Sequence, residues 1–181
     1  MNIADKLDRL LAAFQAQGLD PQLRPGATET ELDQLEEALQ LTLPEDLRAL
    51  WAWRNGHSSH PPPFPHVFAF HRKAFIGTPE VLHVRNDVLA YLTEDEEWHQ
   101  NTFDTAKCIP FANLNAGTVT VSCGPQGDAP HLQHSIVDLH GEMNTSFESI
   151  EKMIDTSIEI CLLYTSPSPR DATLSRMPSS A

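Results

Sequence analysis

Between His57 and His66 the chain carries four prolines and three histidines. Proline removes amide donors and fixes φ, so neither a helix nor a ladder of strand hydrogen bonds can run through this stretch. It is expected to be a loop, and it separates two kinds of pattern. Ahead of it, apolar residues recur every three or four positions. Behind it, one more helical run is followed by short strand-like segments. The fold must bring a helical front half onto a strand-rich back half.

The front half divides into three helices. Ile3, Leu7, Leu10, Leu11 and Phe14 share one helical face, and Gly18 stands where a left-handed residue would end the helix. Pro25-Gly26 turns the chain. Thr28 and Glu31 form a T-x-x-E capping box, in which each side chain satisfies an otherwise orphaned amide. Leu32, Leu35 and Leu39 then make the buried stripe of helix two. Pro44 fits a first-turn position with Glu45 and Asp46 at the positive end of the helix dipole. Helix three turns Leu47, Leu50 and Trp51 inward and is expected to end at Asn55-Gly56.

In the back half, Val67, Phe68, Phe70, Phe75 and Ile76 suggest one or two strands. Thr78-Pro79-Glu80 reads as a helix start, extended by Val81, Val84, Val88, Leu89 and Leu92. Cys108 to Phe111, Thr118 to Cys123 and His134 to Leu139 read as strands, and Val119 and Val121 show the period of two of a half-buried one. A last helix is expected after Ser146, with Phe147, Ile150, Met153 and Ile154 on its stripe. The sum is a single α+β domain.

Charge narrows the function classes. Twelve Lys and Arg stand against 25 Asp and Glu, a net charge of −13. Nucleic acid would be repelled at long range, whereas a basic protein partner would be attracted. No apolar run approaches the ~20 residues a membrane helix needs. The first residues lack the pattern of a secretory signal, and Cys108, Cys123 and Cys161 form no C-x-x-C pair, so a reducing, cytoplasmic setting is expected.

The inventory of reactive groups is thin. His57, His60, His66 and His71 cluster along the sequence, but Pro61-Pro62-Pro63 stiffens their spacing and zinc needs three or four convergent ligands. They are read as exposed loop histidines, and His131 and His134 as surface residues. Cys108 and Cys123 lie in strand-like runs, where a thiol stays protonated and inert. Phosphate-loop, dinucleotide-binding, nucleophile-elbow and zincin motifs are missing. No catalytic, cofactor or metal residue is therefore assigned.

The stronger signal is the distribution of acid. Glu94, Asp95, Glu96 and Glu97 stand beside Trp98, and Glu29, Glu31, Asp33, Glu36 and Glu37 are placed on the exposed side of helix two. Aromatic residues often anchor interfaces, and Trp53 and Trp98 each fit either a core-capping or an anchoring role. The candidate partner surface is thus Glu36, Glu37, Trp53, Glu94, Asp95, Glu96, Glu97 and Trp98.

From Cys161 to Ala181 the composition changes abruptly, and the segment back-translates to a sequencing-adapter oligonucleotide in two places. Residues 161–181 are expected to be a non-native tail, leaving 1–160 as the domain. The remainder keeps 10 basic and 24 acidic residues, so the acidic balance holds.

The order Pro25-Gly26-Ala27-Thr28-Glu29, Leu43-Pro44-Glu45-Asp46-Leu47 and Arg54-Asn55-Gly56, followed by Ile109-Pro110-Phe111-Ala112 and Ser146-Phe147-Glu148, resembles the SUKH superfamily, related to the Smi/Knr cell-wall-synthesis regulators. One departure is the turn Asn113-Leu114-Asn115-Ala116-Gly117, which lacks the aspartate that members often carry there. The resemblance implies N-terminal helices packed on a mixed or antiparallel sheet with a C-terminal helix. It also implies a non-enzymatic binding domain, commonly an immunity protein that neutralises a cognate nuclease or deaminase toxin. The alternative it implies is a Smi/Knr-like regulatory or scaffold module without a toxin partner.

Overall fold

The computed structural model describes residues 2–16, 18–58, 74–94, 107–114, 117–123, 136–140 and 142–165. Helix α1 (Ile3–Ala16) buries Leu7, Leu10 and Phe14. Asn2 caps it, accepting from the Asp5 amide at 2.8 Å. At the other end Gly18 adopts φ +70°. Its amide reaches the Gln15 carbonyl and that of Leu19 reaches Phe14, the paired bonds of a Schellman stop.

Helix α2 (Glu29–Leu39) opens on the expected capping box, with Thr28 and Glu31 each bonded to the other's amide. Hydrogen bonds from the Thr28 amide and then its hydroxyl hold the Glu31 carboxyl below its usual range. Gln40 ends the helix in the left-handed region at φ +54°. A side chain there costs roughly 1–2 kcal/mol, offset by two amide bonds back to α2. Helix α3 (Glu45–Trp53) starts one residue later than the sequence suggests. Pro44 is extended and serves as the N-cap.

The chain does not turn away at Asn55-Gly56. It runs straight from α3 into strand β2 (Arg54–His57), which pairs antiparallel with β1 (Leu23–Pro25). The pairing partners lie more than twenty residues apart and carry no local periodicity, which is why these strands escape a reading of the sequence.

Strand β3 (Ala74–Phe75) precedes α4 (Thr78–Glu94), whose Val81 and Val84 are buried. Then come β4 (Cys108–Leu114), β5 (Gly117–Ser122), β6 (Ile136–His140) and β7 (Glu142–Phe147). Strands β3 to β7 form one antiparallel sheet with neighbours in chain order. Pro110 sits within β4 because the register shifts beside it: Pro110 pairs with Thr120 but Ala112 with Val119, leaving Phe111 as the bulged residue. The Phe111 carbonyl accepts the Ile76 amide at 3.0 Å.

Phe147 closes β7 opposite Ile136, so it does not belong to the last helix. That helix, α5 (Ile150–Thr165), begins a turn later, with Ser149 Oγ accepting from the Lys152 amide. Its backbone continues past residue 160, the expected domain boundary. The segments 59–73, 95–106 and 124–135, including the strand expected at Val67 to Phe70, lie outside the described residues.

One core joins these layers. Leu32, Leu47, Leu50 and Trp51 from the helices meet Phe75, Ile109, Phe111, Val119 and Val121 from the sheet, with Ile150, Met153 and Ile154 from α5. Each such side chain contributes about 1.5–3 kcal/mol on burial. Lys6 of α1 clasps α5, its Nζ 2.7 Å from both Glu151 Oε1 and Asp155 Oδ1. The hydrogen bonds to Asp155 and Glu151 raise the Lys6 pKa against the opposing effect of burial.

The two sheets meet where side chains are missing. A Cβ on Gly77 would lie 2.2 Å from the Asn55 carbonyl oxygen, and one on Gly56, at φ +81°, 2.4 Å from the Gly77 nitrogen. Asn55 bridges this crossing: its Oδ1 accepts the Thr78 amide at 2.7 Å and its Nδ2 donates to Thr78 Oγ1. Glu80 accepts the Gly77 amide and is held by both terminal nitrogens of Arg24 at 2.8 and 2.6 Å. Trp51 completes the junction by donating to the Ile76 carbonyl at 2.9 Å.

Candidate binding surface

On α2, Glu29, Asp33 and Glu36 are spaced four and three residues apart, so they share one face. All three converge on Arg48 of α3, at 2.6, 2.5 and 3.1 Å. The convergence raises the Arg48 pKa further, chiefly through the bonds to Asp33 and Glu29. A face expected to present bare carboxylates therefore carries its own cation. Glu36 is only 26% exposed, and its Oε1 accepts the Leu43 amide at 2.7 Å. Its work is to tie the α2–α3 connection together. Glu37 remains exposed.

Trp53 caps the core. It is 8% exposed, its indole N–H donates to Asp8 Oδ1 at 2.8 Å, and the Arg54 guanidinium lies 5.2 Å from its ring centroid. Little of the ring is left to present to a partner. Glu94 is the last residue of α4, and Asp95, Glu96, Glu97 and Trp98 lie outside the described residues. Of the expected acidic residues on α2, Glu29, Asp33 and Glu36 are thus brought together around Arg48, while Glu31 is held by Thr28 and Glu37 stays exposed.

Among the described residues, Pro44, Glu45, Asp46, Val121 and Ile150 line a cleft of about 220 Å³. Three of the described elements contribute to it. The start of α3 supplies the two carboxylates, while β5 and the first turn of α5 supply apolar walls, Val121 and Ile150 being at most 1% exposed. The Leu-Pro-Glu-Asp motif announces the carboxylates in the sequence. Nothing local announces that residues some 75 and 105 positions downstream complete the wall.

Reactive chemistry is sparse among the described residues. His57, expected in an exposed loop, is buried at the end of β2 with Nδ1 2.8 Å from the Pro21 carbonyl. Its ring therefore serves the β1–β2 packing. Burial pushes the Cys123 thiol up to about 12, with nearby Cys108 adding to the effect and Arg85 opposing it. A thiol held protonated at neutral pH is a poor nucleophile. The described residues contain no group of three or more metal-ligating side chains. Nor does any helix among them have the length and apolarity to cross a membrane.

The described surface is charged, with Glu37 and Glu45 exposed on it. A comparison with curated proteins gives no match. The family model for the SMI1 / KNR4 family (SUKH-1) matches residues 26–156, from the glycine that packs on α3 into the last helix. With most of its length under that one model, capping box, glycine junction and antiparallel sheet included, the chain belongs to the SMI1/KNR4 (SUKH-1) family.

Proposed function

We propose that this protein acts by stoichiometric binding, as an immunity protein that occludes a cognate bacterial toxin of the nuclease or deaminase type. The observation that carries this reading is the net charge of −13 on a member of a family suited to protein–protein contact. A nuclease must attract a polyanion and so presents a cationic surface. An acidic inhibitor meets that surface with long-range attraction, which lifts association toward ~10⁸ M⁻¹s⁻¹ or more at low salt. Glu37 and the Glu94 to Trp98 segment are the proposed contact residues, with no bond made or broken in the partner.

Rescue of cells expressing the toxin encoded beside this gene tests the reading, together with association rates across ionic strength. The expected result is survival, a rate that falls steeply with salt, and a rate about ten-fold lower when Glu94, Asp95, Glu96 and Glu97 are all replaced by lysine. No rescue would reject the toxin partner and favour a regulatory or scaffold role. Rescue with an unchanged salt slope in the lysine variant would reject the contact residues.

A further inference from the structure

We infer that Asn55-Gly56 is a latent modification site: closed while the glycine junction is packed, it is converted to isoaspartate by water once the junction opens, and the junction cannot then re-form. The pair is chemically labile. An asparagine side-chain carbonyl carbon lies one ring closure from the next residue's nitrogen, and a glycine there has no Cβ to block the approach.

The folded chain withholds both reactants. Asn55 is 7% exposed, and both ends of its carboxamide are engaged by Thr78: Oδ1 accepts the backbone amide at 2.7 Å and Nδ2 donates to Oγ1 at 3.1 Å. Swinging Cγ toward the Gly56 nitrogen breaks the two bonds together and leaves buried polar groups unmatched. Gly56 is itself held at φ +81°, packed against Gly77 with no room for a single added methyl. A new five-membered ring cannot be accommodated there without parting the two strands. Reaction therefore waits for local opening of the junction.

In the open chain the Gly56 nitrogen attacks Asn55 Cγ. A C–N bond forms as the Cγ–Nδ2 bond breaks, and Nδ2 leaves as ammonia with the Gly56 amide proton. Water then opens the cyclic imide. Attack at Cγ gives aspartate, whereas attack at the main-chain carbonyl of residue 55 gives isoaspartate, with the chain rerouted through the side chain. The two products fit differently. Aspartate accepts from both the Thr78 amide and its hydroxyl, and its charge stands at the start of α4, where the helix dipole favours it. Isoaspartate lengthens β2 by one backbone atom and carries Gly56 off its contact with Gly77.

The test holds the full chain in mild alkali, folded or in urea, and follows conversion at residue 55 by peptide mass spectrometry with chromatographic separation of the two products. Conversion should be about ten-fold slower or more in the folded chain. Thr78→Val, which removes the Oγ1 partner, should quicken conversion of the folded chain several-fold and leave the rate in urea unchanged. If that variant is partly unfolded, wild type below its urea transition carries the comparison, with conversion rising in step with hydrogen exchange of the Thr78 amide. On removal of urea, the isoaspartyl chain should fail to regain the native spectrum, while Asn55→Asp should regain it. Equal rates in the folded and unfolded chains, no conversion in urea, or indifference to both Thr78→Val and urea would each overturn the assignment. So would normal refolding of the isoaspartyl chain, or failure of Asn55→Asp to refold.

Discussion

The glycine junction and the α2–α3 acidic face use opposite means to hold two segments together. At the junction, backbone meets backbone, and a Cβ on Gly77 would stand 2.2 Å from the Asn55 carbonyl oxygen. On the acidic face, three carboxylates close on Arg48 through long side chains that are up to 76% exposed. Close packing admits no alternative arrangement, whereas exposed ion pairs are screened by water and contribute little. The first region sets the shape and the second remains open to selection for partners. Substitutions should therefore separate into those that unfold the chain and those that only alter what it binds.

The sharpest contrast is Gly77→Ala. It should destabilise by about 3 kcal/mol or more, read from denaturant unfolding, because the clashing atom is a carbonyl of strand β2 that cannot step aside. Tolerance of alanine there would show that the junction is loose and would erase the comparison. Lys6→Met should follow at roughly 1.5–3 kcal/mol, since it deletes charged hydrogen bonds to two carboxylates. Because the Lys6 pKa is raised on folding, its contribution is complete below the ordinary lysine value of 10.5. It is lost only as pH climbs through the higher folded value. The wild-type advantage should thus persist at neutral pH and fade in strong alkali.

Thr28→Ala should cost about 1 kcal/mol by opening the capping box. The sign of the pH dependence is reversed here. Glu31 has a lowered pKa, so its contribution is present above the ordinary glutamate value of 4.5 and disappears as pH falls through the depressed one. A Glu31→Gln variant should lag wild type at neutral pH and converge on it in acid. The smallest stability effect belongs to E29Q/D33N, which should leave the melting temperature unchanged while slowing capture of a basic partner. A large loss of stability from that pair would make the acidic face structural and blur the distinction.

What the sequence disclosed was local. The Thr28–Glu31 box, the Gly18 stop and the Leu32, Leu35 and Leu39 stripe depend on neighbours within a turn or two, and each is present as expected. Pro44 lay one position away from its actual cap because both positions suit its fixed φ. The end of strand β7 was hidden because Phe147 is spaced from Ile150 and Ile154 like a helix face, and pairing with β6 overrides that spacing. His57 looked exposed among prolines, yet Pro21 bonds its ring and Leu23 pairs with it from more than thirty residues upstream. Candidate contact residues were legible as charge only. Whether a carboxylate is available or already matched, as Glu36 is by Arg48 and the Leu43 amide, depends on which helices cross.

The packing of α1 against α5, fastened by Lys6, sets the order of events on the ribosome. Leu7, Leu10 and Phe14 leave the exit tunnel early, but Met153 and Ile154 follow roughly 140 residues later. At ~5–20 residues per second that delay is on the order of ten seconds. For that interval the nascent chain carries an amphipathic segment with only part of its native shelter, the face that α3 covers through contacts such as Trp53 on Asp8, so the first helix is where a holdase chaperone would have the longest opportunity to engage.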